Sequence, residues 1–156
     1  MNGTLRTGRR RALALSGSAL VTAIAGCSGQ SDDDTSPRDL ELREADWEAV
    51  EAIKVNGLTS GWIGVEPEVI EGVRNPPVLL FEGADYEFTW ANRDGGTHNL
   101  AIRDEAGSLI ENYDTGFLRE RGDIATLSIE ASPEMHQYVC DPHPRSMIGY
   151  FRIVEA

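Results

Sequence analysis

Apolar residues in the second half of this 156-residue chain alternate with polar ones at a period of two. Tyr86, Phe88 and Trp90 share one face, and Glu87 and Thr89 share the other, which is typical of a half-buried strand. Similar short runs, separated by Gly, Asp, Asn and Pro, predict further strands at 78–81, 98–102, 124–129, 136–140 and 150–154, with two more at 53–55 and 62–65. We therefore predict an all-β fold, an antiparallel Greek-key β-sandwich of about seven or eight strands.

Two stretches lack this alternation. Residues 40–52 have a helix-favouring composition but little apolar face, which predicts a short helix or an irregular lead-in. Residues 103–122 are polar and contain three glycines, which predicts a long connection between two strands.

Four residues that can bind a soft metal stand in the same half of the chain. Cys140, His143 and Met147 lie in one short turn, and His98 lies upstream in a Gly-Gly-Thr-His-Asn tract. A thiolate, two imidazoles and a thioether form the donor set of a blue copper electron-transfer site, a trigonal plane with a weak axial Met. So short a turn brings three ligands to one ion at low entropic cost, and the prolines on both sides of His143 restrict its backbone.

This donor set resembles the cupredoxins of the plastocyanin, amicyanin and halocyanin kind. In that family a His-Asn pair at the end of a strand is followed by Tyr-x-Cys-x-x-His-(x)n-Met-x-Gly, and the resemblance covers roughly residues 50–156. It implies that one type 1 copper ion is bound by four ligands, with Asn99 beside them. Those ligands are His98, Cys140, His143 and Met147.

The loop departs from the family in length, and a third histidine falls outside the pattern. Three residues separate His143 from Met147, against two in amicyanin-like loops and four in plastocyanin-like loops, which bears on the axial bond and the reduction potential. His136 matches no family element, so we interpret it as an ordinary strand-end histidine. Met135 is interpreted as a packing residue.

The first 26 residues have the pattern of a signal peptide. Arginines without acids precede an apolar run at 12–25, which is too short to span a bilayer but has the length of a signal's hydrophobic region. The string at 7–11, Thr-Gly-Arg-Arg-Arg, resembles a twin-arginine signal. A general secretory signal with an arginine-rich start is the alternative.

The segment that follows predicts a membrane tether. Ile24-Ala25-Gly26-Cys27 resembles a lipobox, in which the cysteine is lipidated, and residues 27–45 predict a lipid anchor with a flexible acidic linker before a domain at 46–156. The chain would then be exported and anchored to the outer face of the cell membrane. We reject a Cys27–Cys140 disulfide, because a lipidated cysteine cannot pair and an oxidised Cys140 could not bind copper. A free Cys27 thiol after ordinary cleavage is the alternative.

The chain is strongly acidic, with 26 Asp and Glu against 14 Lys and Arg, and its net charge from Cys27 onward is −16. This charge excludes nucleic acid as a partner. Acids dispersed along the whole domain, with a single lysine, resemble the proteins of salt-loving archaea, in which salt screens self-repulsion. An acidic docking face for a basic redox partner is a second interpretation.

The predicted function is one-electron transfer, by a monomer that exchanges electrons with membrane-associated redox proteins and is not an enzyme. A copper reductase needs a second copper with more histidines, and a dinuclear oxidase centre needs two cysteines. The chain has three His, and Cys140 is its one cysteine outside the lipobox. A copper-delivery protein without a redox role and a metal-free adhesion sandwich remain alternatives.

Overall fold

Almost all regular structure in the described part of the chain is β. The computed structural model describes residues 41–155, in which nine strands accompany two short 3-10 helices at Glu44–Asp46 and Glu68–Ile70. In chain order the strands are β1 (Ala52–Leu58), β2 (Gly61–Glu66), β3 (Val78–Phe81), β4 (Asp85–Asn92), β5 (Ala101–Arg103), β6 (Leu109–Asp114), β7 (Ile124–Glu130), β8 (Gln137–Val139) and β9 (Ile148–Val154). The all-β prediction is confirmed, with slightly more strands than expected.

The predictions for the chain's start fall on residues that the structure does not describe. The signal peptide, Cys27 and all but the end of the linker lie before residue 41. Among residues 41–155, no helix is long and apolar enough to cross a membrane.

The strands form two sheets. One has the order β2-β1-β4-β7 and the other β3-β9-β8-β5-β6. The pairs β1–β4 and β3–β9 are parallel, and the remaining pairs are antiparallel. Because β5 runs antiparallel to β8, with Ala101 opposite Val139, the residues before β5 lie beside the residues after β8. This pairing brings the His98 tract next to Cys140.

The core lies between the sheets and is rich in aromatic side chains. Along β4 the buried positions alternate with exposed or half-buried ones, and Phe88 and Trp90 are fully buried, as the period of two predicts. The ring of Phe88 lies 5.1 Å from that of Tyr138 on the opposite sheet, centroid to centroid. Such edge-on aromatic pairs add to the stabilisation that burial alone provides.

The prediction of an unbroken connection over residues 103–122 is wrong, because β6 lies within it and forms a hairpin with β5. Asp104 shapes the turn by accepting a hydrogen bond from Ser108 N–H at 2.7 Å, and Gly107 takes a positive φ of 84°. Ile110 is the one buried side chain of β6, so the strand has no apolar alternation to reveal it. The lead-in is irregular, as predicted, with a three-residue 3-10 helix just before the buried Trp47.

The hydroxyl of Tyr138 makes a buried hydrogen bond that generates a stability prediction. It donates to Pro76 O at 2.6 Å, and burial raises the pKa of Tyr138, so the hydroxyl keeps its proton. Tyr138→Phe leaves that carbonyl without its donor, and we expect a loss of about 1–3 kcal/mol in the free energy of unfolding. Tyr150→Phe is the control, because Tyr150 is 49% exposed and should change stability by no more than about 0.5 kcal/mol. Urea titration of both variants checks the prediction, and equal effects would contradict it.

Candidate metal centre

Three of the four predicted ligands lie on one loop, which begins where β8 ends and runs from Cys140 to Met147. Backbone hydrogen bonds fold this ligand loop onto itself. Cys140 N–H donates to Met147 O at 3.0 Å, His143 N–H to Cys140 O at 3.0 Å, and Met147 N–H to His143 O at 2.9 Å. The loop is thus closed by its own backbone.

The ligand loop is also fastened to the opposite sheet. Ser146 Oγ donates to Thr59 O at 2.6 Å, and Asn75 Nδ2 donates to Ser146 O at 2.8 Å. Both contacts join the segment between His143 and Met147 to residues that flank β2 and its hairpin with β1.

His98 reaches the same place from a separate segment. Its backbone pairs with Leu118, with His98 N–H donating at 3.0 Å and Leu118 N–H at 2.8 Å. The next residue, Asn99, is fully buried and accepts from Asp141 N–H at 2.8 Å while donating to Asp141 Oδ2 at 2.8 Å. The two ligand segments are therefore held together by side chains of the protein.

Donor atoms from these segments form a nearly equilateral triangle. Cys140 Sγ lies 3.6 Å from His98 Nδ1 and 3.6 Å from His143 Nδ1, and the two nitrogens are 3.2 Å apart. A point equidistant from all three atoms would lie about 2.0 Å from each, which is close to the length of bonds from a transition metal to imidazole or thiolate. His98 and Cys140 are buried and His143 is half-buried.

The fourth predicted ligand, Met147, is fully buried in the same core cluster as Cys140. Its backbone is bonded to both Cys140 and His143. A buried thiol, two imidazoles and a thioether are the soft and borderline donors that copper favours. The site therefore fits a single type 1 copper ion.

Asp94 fixes the orientation of the His98 ring. Its Oδ1 lies 2.8 Å from His98 Nε2, which therefore carries the proton, so that Nδ1 presents its lone pair to the other donors. Partial burial raises the pKa of Asp94, but hydrogen bonds from the N–H groups of Thr59 and Gly96, from His98 and from the Thr59 hydroxyl outweigh it. Together they hold the pKa of Asp94 well below its usual range.

Cys140 keeps its proton in the absence of metal. Burial raises the pKa of its thiol, backbone hydrogen bonds at Asn99 and His143 oppose that effect, and the nearby charges of Asp141 and Asp94 raise the pKa further. Binding a metal as thiolate must then release this proton.

His136 and Met135 lie apart from the three donors. The His136 ring packs edge-on against Tyr150, with centroids 5.5 Å apart, and Met135 is buried in the core. Neither belongs to the group of donor atoms formed by His98, Cys140 and His143.

Sequence reasoning did not identify Asp94 or explain the two glycines after it. Gly95 has a positive φ of 79°, and a Cβ on Gly96 would lie 2.7 Å from His98 Nε2. The pair of glycines therefore lets the turn pass close to the ring while Asp94 reaches back to it. The sequence offers one signal for the role of Asp94, which is an acid four residues before His98. Acids at that spacing from a histidine are common in other sequences, so the signal is weak.

No protein-family model matches the sequence, and no curated protein matches it. Several solved structures are similar in fold. Rusticyanin from Thiobacillus ferrooxidans is 14% identical, with a TM-score of 0.44 over 66% of this chain and 76% of that one. A purple cupredoxin from Nitrosopumilus maritimus is 21% identical, with a TM-score of 0.43 over 66% of this chain and 98% of that one. A reduced Cu(I) amicyanin variant is 20% identical, with a TM-score of 0.40 over 68% of this chain and 85% of that one. Likenesses of this degree carry no weight for function.

The bonds of Asp94 generate the second prediction. Asp94→Asn weakens the charge-assisted bonds to Thr59, Gly96 and His98, and we expect the metal-free protein to lose about 1–3 kcal/mol of unfolding free energy at neutral pH. Glu134→Gln, at an exposed position, is the control and should change it by no more than about 0.5 kcal/mol. Chemical denaturation of the metal-free variants measures both, and an unaffected Asp94→Asn protein would show that the carboxylate does not hold the turn.

Proposed function

We propose that this protein is a one-electron carrier that uses a single type 1 copper ion bound by His98, Cys140, His143 and Met147. The observation that carries the proposal is the triangle of Cys140 Sγ and two imidazole Nδ1 atoms, with sides of 3.2–3.6 Å. A copper ion in that triangle would supply redox chemistry between Cu(II) and Cu(I). The residues around it supply the cage.

Each ligand has a distinct part in the proposal. Cys140 would bind the ion as a thiolate, and His98 and His143 would bind it through their imidazole nitrogens. Met147 would add a weak thioether donor that tunes the potential. Because hydrogen bonds already hold His98 and the ligand loop in place, the cage need not rearrange when the metal gains or loses an electron.

His143 offers the route by which electrons leave. Its ring is half-buried, and Pro142 and Pro144 on either side of it are exposed. A partner that docks over these prolines would be separated from the copper by the His143 imidazole ring alone. Small interfaces of this kind suit short redox encounters.

The remaining expectations from the sequence are part of the same proposal. A signal peptide and a lipid on Cys27 would place the carrier at the outer face of the cell membrane, where it would meet membrane-associated redox proteins as a monomer. The acidic composition supports a high-salt environment, because screening relieves the repulsion among its carboxylates. A carrier role is proposed over catalysis because residues 41–155 hold three histidines and one cysteine, fewer than a two-copper reductase or a dinuclear oxidase centre needs.

The first test is optical. Oxidised, copper-loaded protein should show an intense visible band from charge transfer between the Cys140 thiolate and the metal. Cys140→Ser removes the sulfur and should abolish the band. Retention of the colour would refute the ligand assignment, as would two coppers per chain by elemental analysis. His136→Gln is the matched control, because His136 lies outside the donor group and should leave the band unchanged.

The proposed role of Met147 is tested by Met147→Leu, which keeps the buried volume but removes the thioether donor. We expect the variant to retain copper and to show a higher reduction potential, because the lost donor stabilises the oxidised ion more than the reduced one. Protein-film voltammetry measures the potential. Met135→Leu, at a second buried methionine, is the control and should leave the potential unchanged. A lower potential, or complete loss of metal, would contradict this role for Met147.

The alternative function is copper delivery. A protein that exchanges copper readily and does not cycle between Cu(II) and Cu(I) would indicate a delivery protein.

A further inference from the structure

Basic residues in the described part of the chain fall into two groups. Residues 41–155 contain nine Lys and Arg against twenty-two Asp and Glu. Four of the basic residues form ion pairs with carboxylates: Arg43, Lys54, Arg103 and Arg152. The other five make no ion pair within residues 41–155 and are all exposed: Arg74, Arg93, Arg119, Arg121 and Arg145.

Two of these unpaired arginines lie beside the histidine ligands. Arg145 is on the ligand loop, two residues after His143. Arg121 lies beside the turn that holds His98, because a Cβ on Gly95 would be 3.7 Å from Arg121 N and 3.8 Å from Arg121 Cβ.

Two more lie on the segments that flank the site. Arg74 Nη1 donates to Ser60 O at 3.4 Å, next to Thr59, which accepts a hydrogen bond from Ser146 of the ligand loop. Arg119 follows Leu118, the backbone partner of His98, and its guanidinium lies 6.0 Å from the centre of the Phe117 ring.

We define the arginine face as Arg74, Arg119, Arg121 and Arg145. Arg93 is left out because its guanidinium turns to Asn56 Oδ1, at 2.7 Å.

Most of the carboxylates at this end of the molecule are occupied by hydrogen bonds from the protein. Asp94 binds His98 and Thr59, Asp141 binds Arg103 and Asn99, and Asp114 accepts from Gly116 N–H. Asp123 accepts a hydrogen bond from Glu120 N–H. Among the described carboxylates next to the arginine face, the Glu120 side chain is the one that makes no hydrogen bond. These carboxylates keep their negative charge, but Asp94, Asp114, Asp123 and Asp141 are half-buried, whereas the four arginines are exposed. A molecule that approaches this end therefore meets mainly guanidinium groups.

The other end of the molecule has the opposite charge. A groove of about 920 Å³ lies at the end of β4 far from Asp94, and five carboxylate side chains line it together with Tyr86 and Tyr113. Those side chains are Glu48, Glu51, Asp85, Glu87 and Glu130. The domain is therefore polarised along its long strands.

Exposed apolar groups accompany the arginine face. Pro142 and Pro144 are exposed on either side of the half-buried His143, and Phe117, which precedes the backbone partner of His98, is 50% exposed. An apolar centre with a charged rim is the usual composition of a transient protein interface.

We propose that the arginine face docks an acidic redox protein, one that carries carboxylates around its own electron-transfer centre. The proposal rests on the proposed function and names its partner's chemistry. The total charge of the chain alone suggests a basic partner, but the charge beside His143 favours an acidic one. Because the rest of the surface repels carboxylates, an acidic partner is steered to the one orientation in which its centre faces His143.

The test compares two double variants that remove the same charge from different places. Arg121→Gln with Arg145→Gln removes two charges from the arginine face, and Arg43→Gln with Lys54→Gln removes two charges elsewhere. The probe is a reduced plant-type ferredoxin, an acidic iron–sulfur protein, and stopped-flow absorption follows its reduction of the oxidised, full-length copper protein. The small cation hexaammineruthenium(II) is the second reductant.

We expect the arginine-face variant to react about tenfold more slowly with ferredoxin at low ionic strength, and the control to change by less than about twofold. The difference should shrink as salt is added. The rate with hexaammineruthenium(II) should not fall in either variant, which excludes damage to the metal site. Equal slowing in both double variants, or no slowing in either, would overturn the proposal.

A second measurement keeps this inference separable from the proposed function. Hexaglutamate, which has no redox chemistry, is titrated into the isotope-labelled protein, and the amide NMR shifts are followed. Shifts around the arginine face support the docking surface even if the protein does not cycle copper, a result that would refute the proposed function alone. Shifts elsewhere, or none, would overturn the docking surface. Arginine-dependent binding to phosphatidylglycerol vesicles with an unchanged ferredoxin rate would overturn it as well, in favour of a membrane contact.

Discussion

The metal centre depends on the two hydrogen bonds between Asn99 and Asp141. Asn99, which is fully buried, follows His98, and Asp141 follows Cys140, so this pair holds two proposed ligands from distant parts of the sequence at a fixed separation. Arg103 donates to the other oxygen of Asp141 at 2.7 Å, and Asn99 also reaches Asp114 at 3.2 Å. An amide that is hydrogen-bonded through both its oxygen and its nitrogen has one orientation, and this orientation helps to fix the positions of the donor atoms in the triangle.

It follows that the protein, rather than the metal, orders the ligands. The His98 ring is held by Asp94, and the ligand loop is closed by the bond from Cys140 N–H to Met147 O. A cage built in this way has the same shape for either charge on the ion. That rigidity is the property an electron carrier needs, whereas a site that must release its metal benefits from ligands that can move apart.

Much of the fold and the site could be predicted from the sequence, because the signals were local. Alternation in β4 predicted a strand, and the spacing of Cys140, His143 and Met147 predicted a loop whose Cys140 and His143 donor atoms do lie together. The strand β6 was missed because Ile110 is its one buried residue. A single buried position produces no alternation of apolar and polar residues in the sequence. Asp94 was missed for a different reason: its bond to His98 depends on how a glycine turn folds back, and no periodicity encodes that. The parallel pairing of β1 with β4 is likewise a matter of topology, since each strand has the same pattern whichever way its neighbour runs.

The charge of the protein also differs between composition and structure, because composition gives only the total charge and the structure gives the charge near His143. Summed over the sequence, acids outnumber bases so heavily that the surface would be expected to repel every anion. Ion pairing changes this picture, because four basic residues are neutralised within the fold while the arginines near His143 are left free among residues 41–155. At a Debye length of about 8 Å in physiological salt, a partner within contact distance responds to these nearby groups more than to the distant carboxylates. Added salt weakens both effects, but it weakens the distant repulsion more than the attraction at contact, which would let a strongly acidic carrier bind an acidic partner at one face.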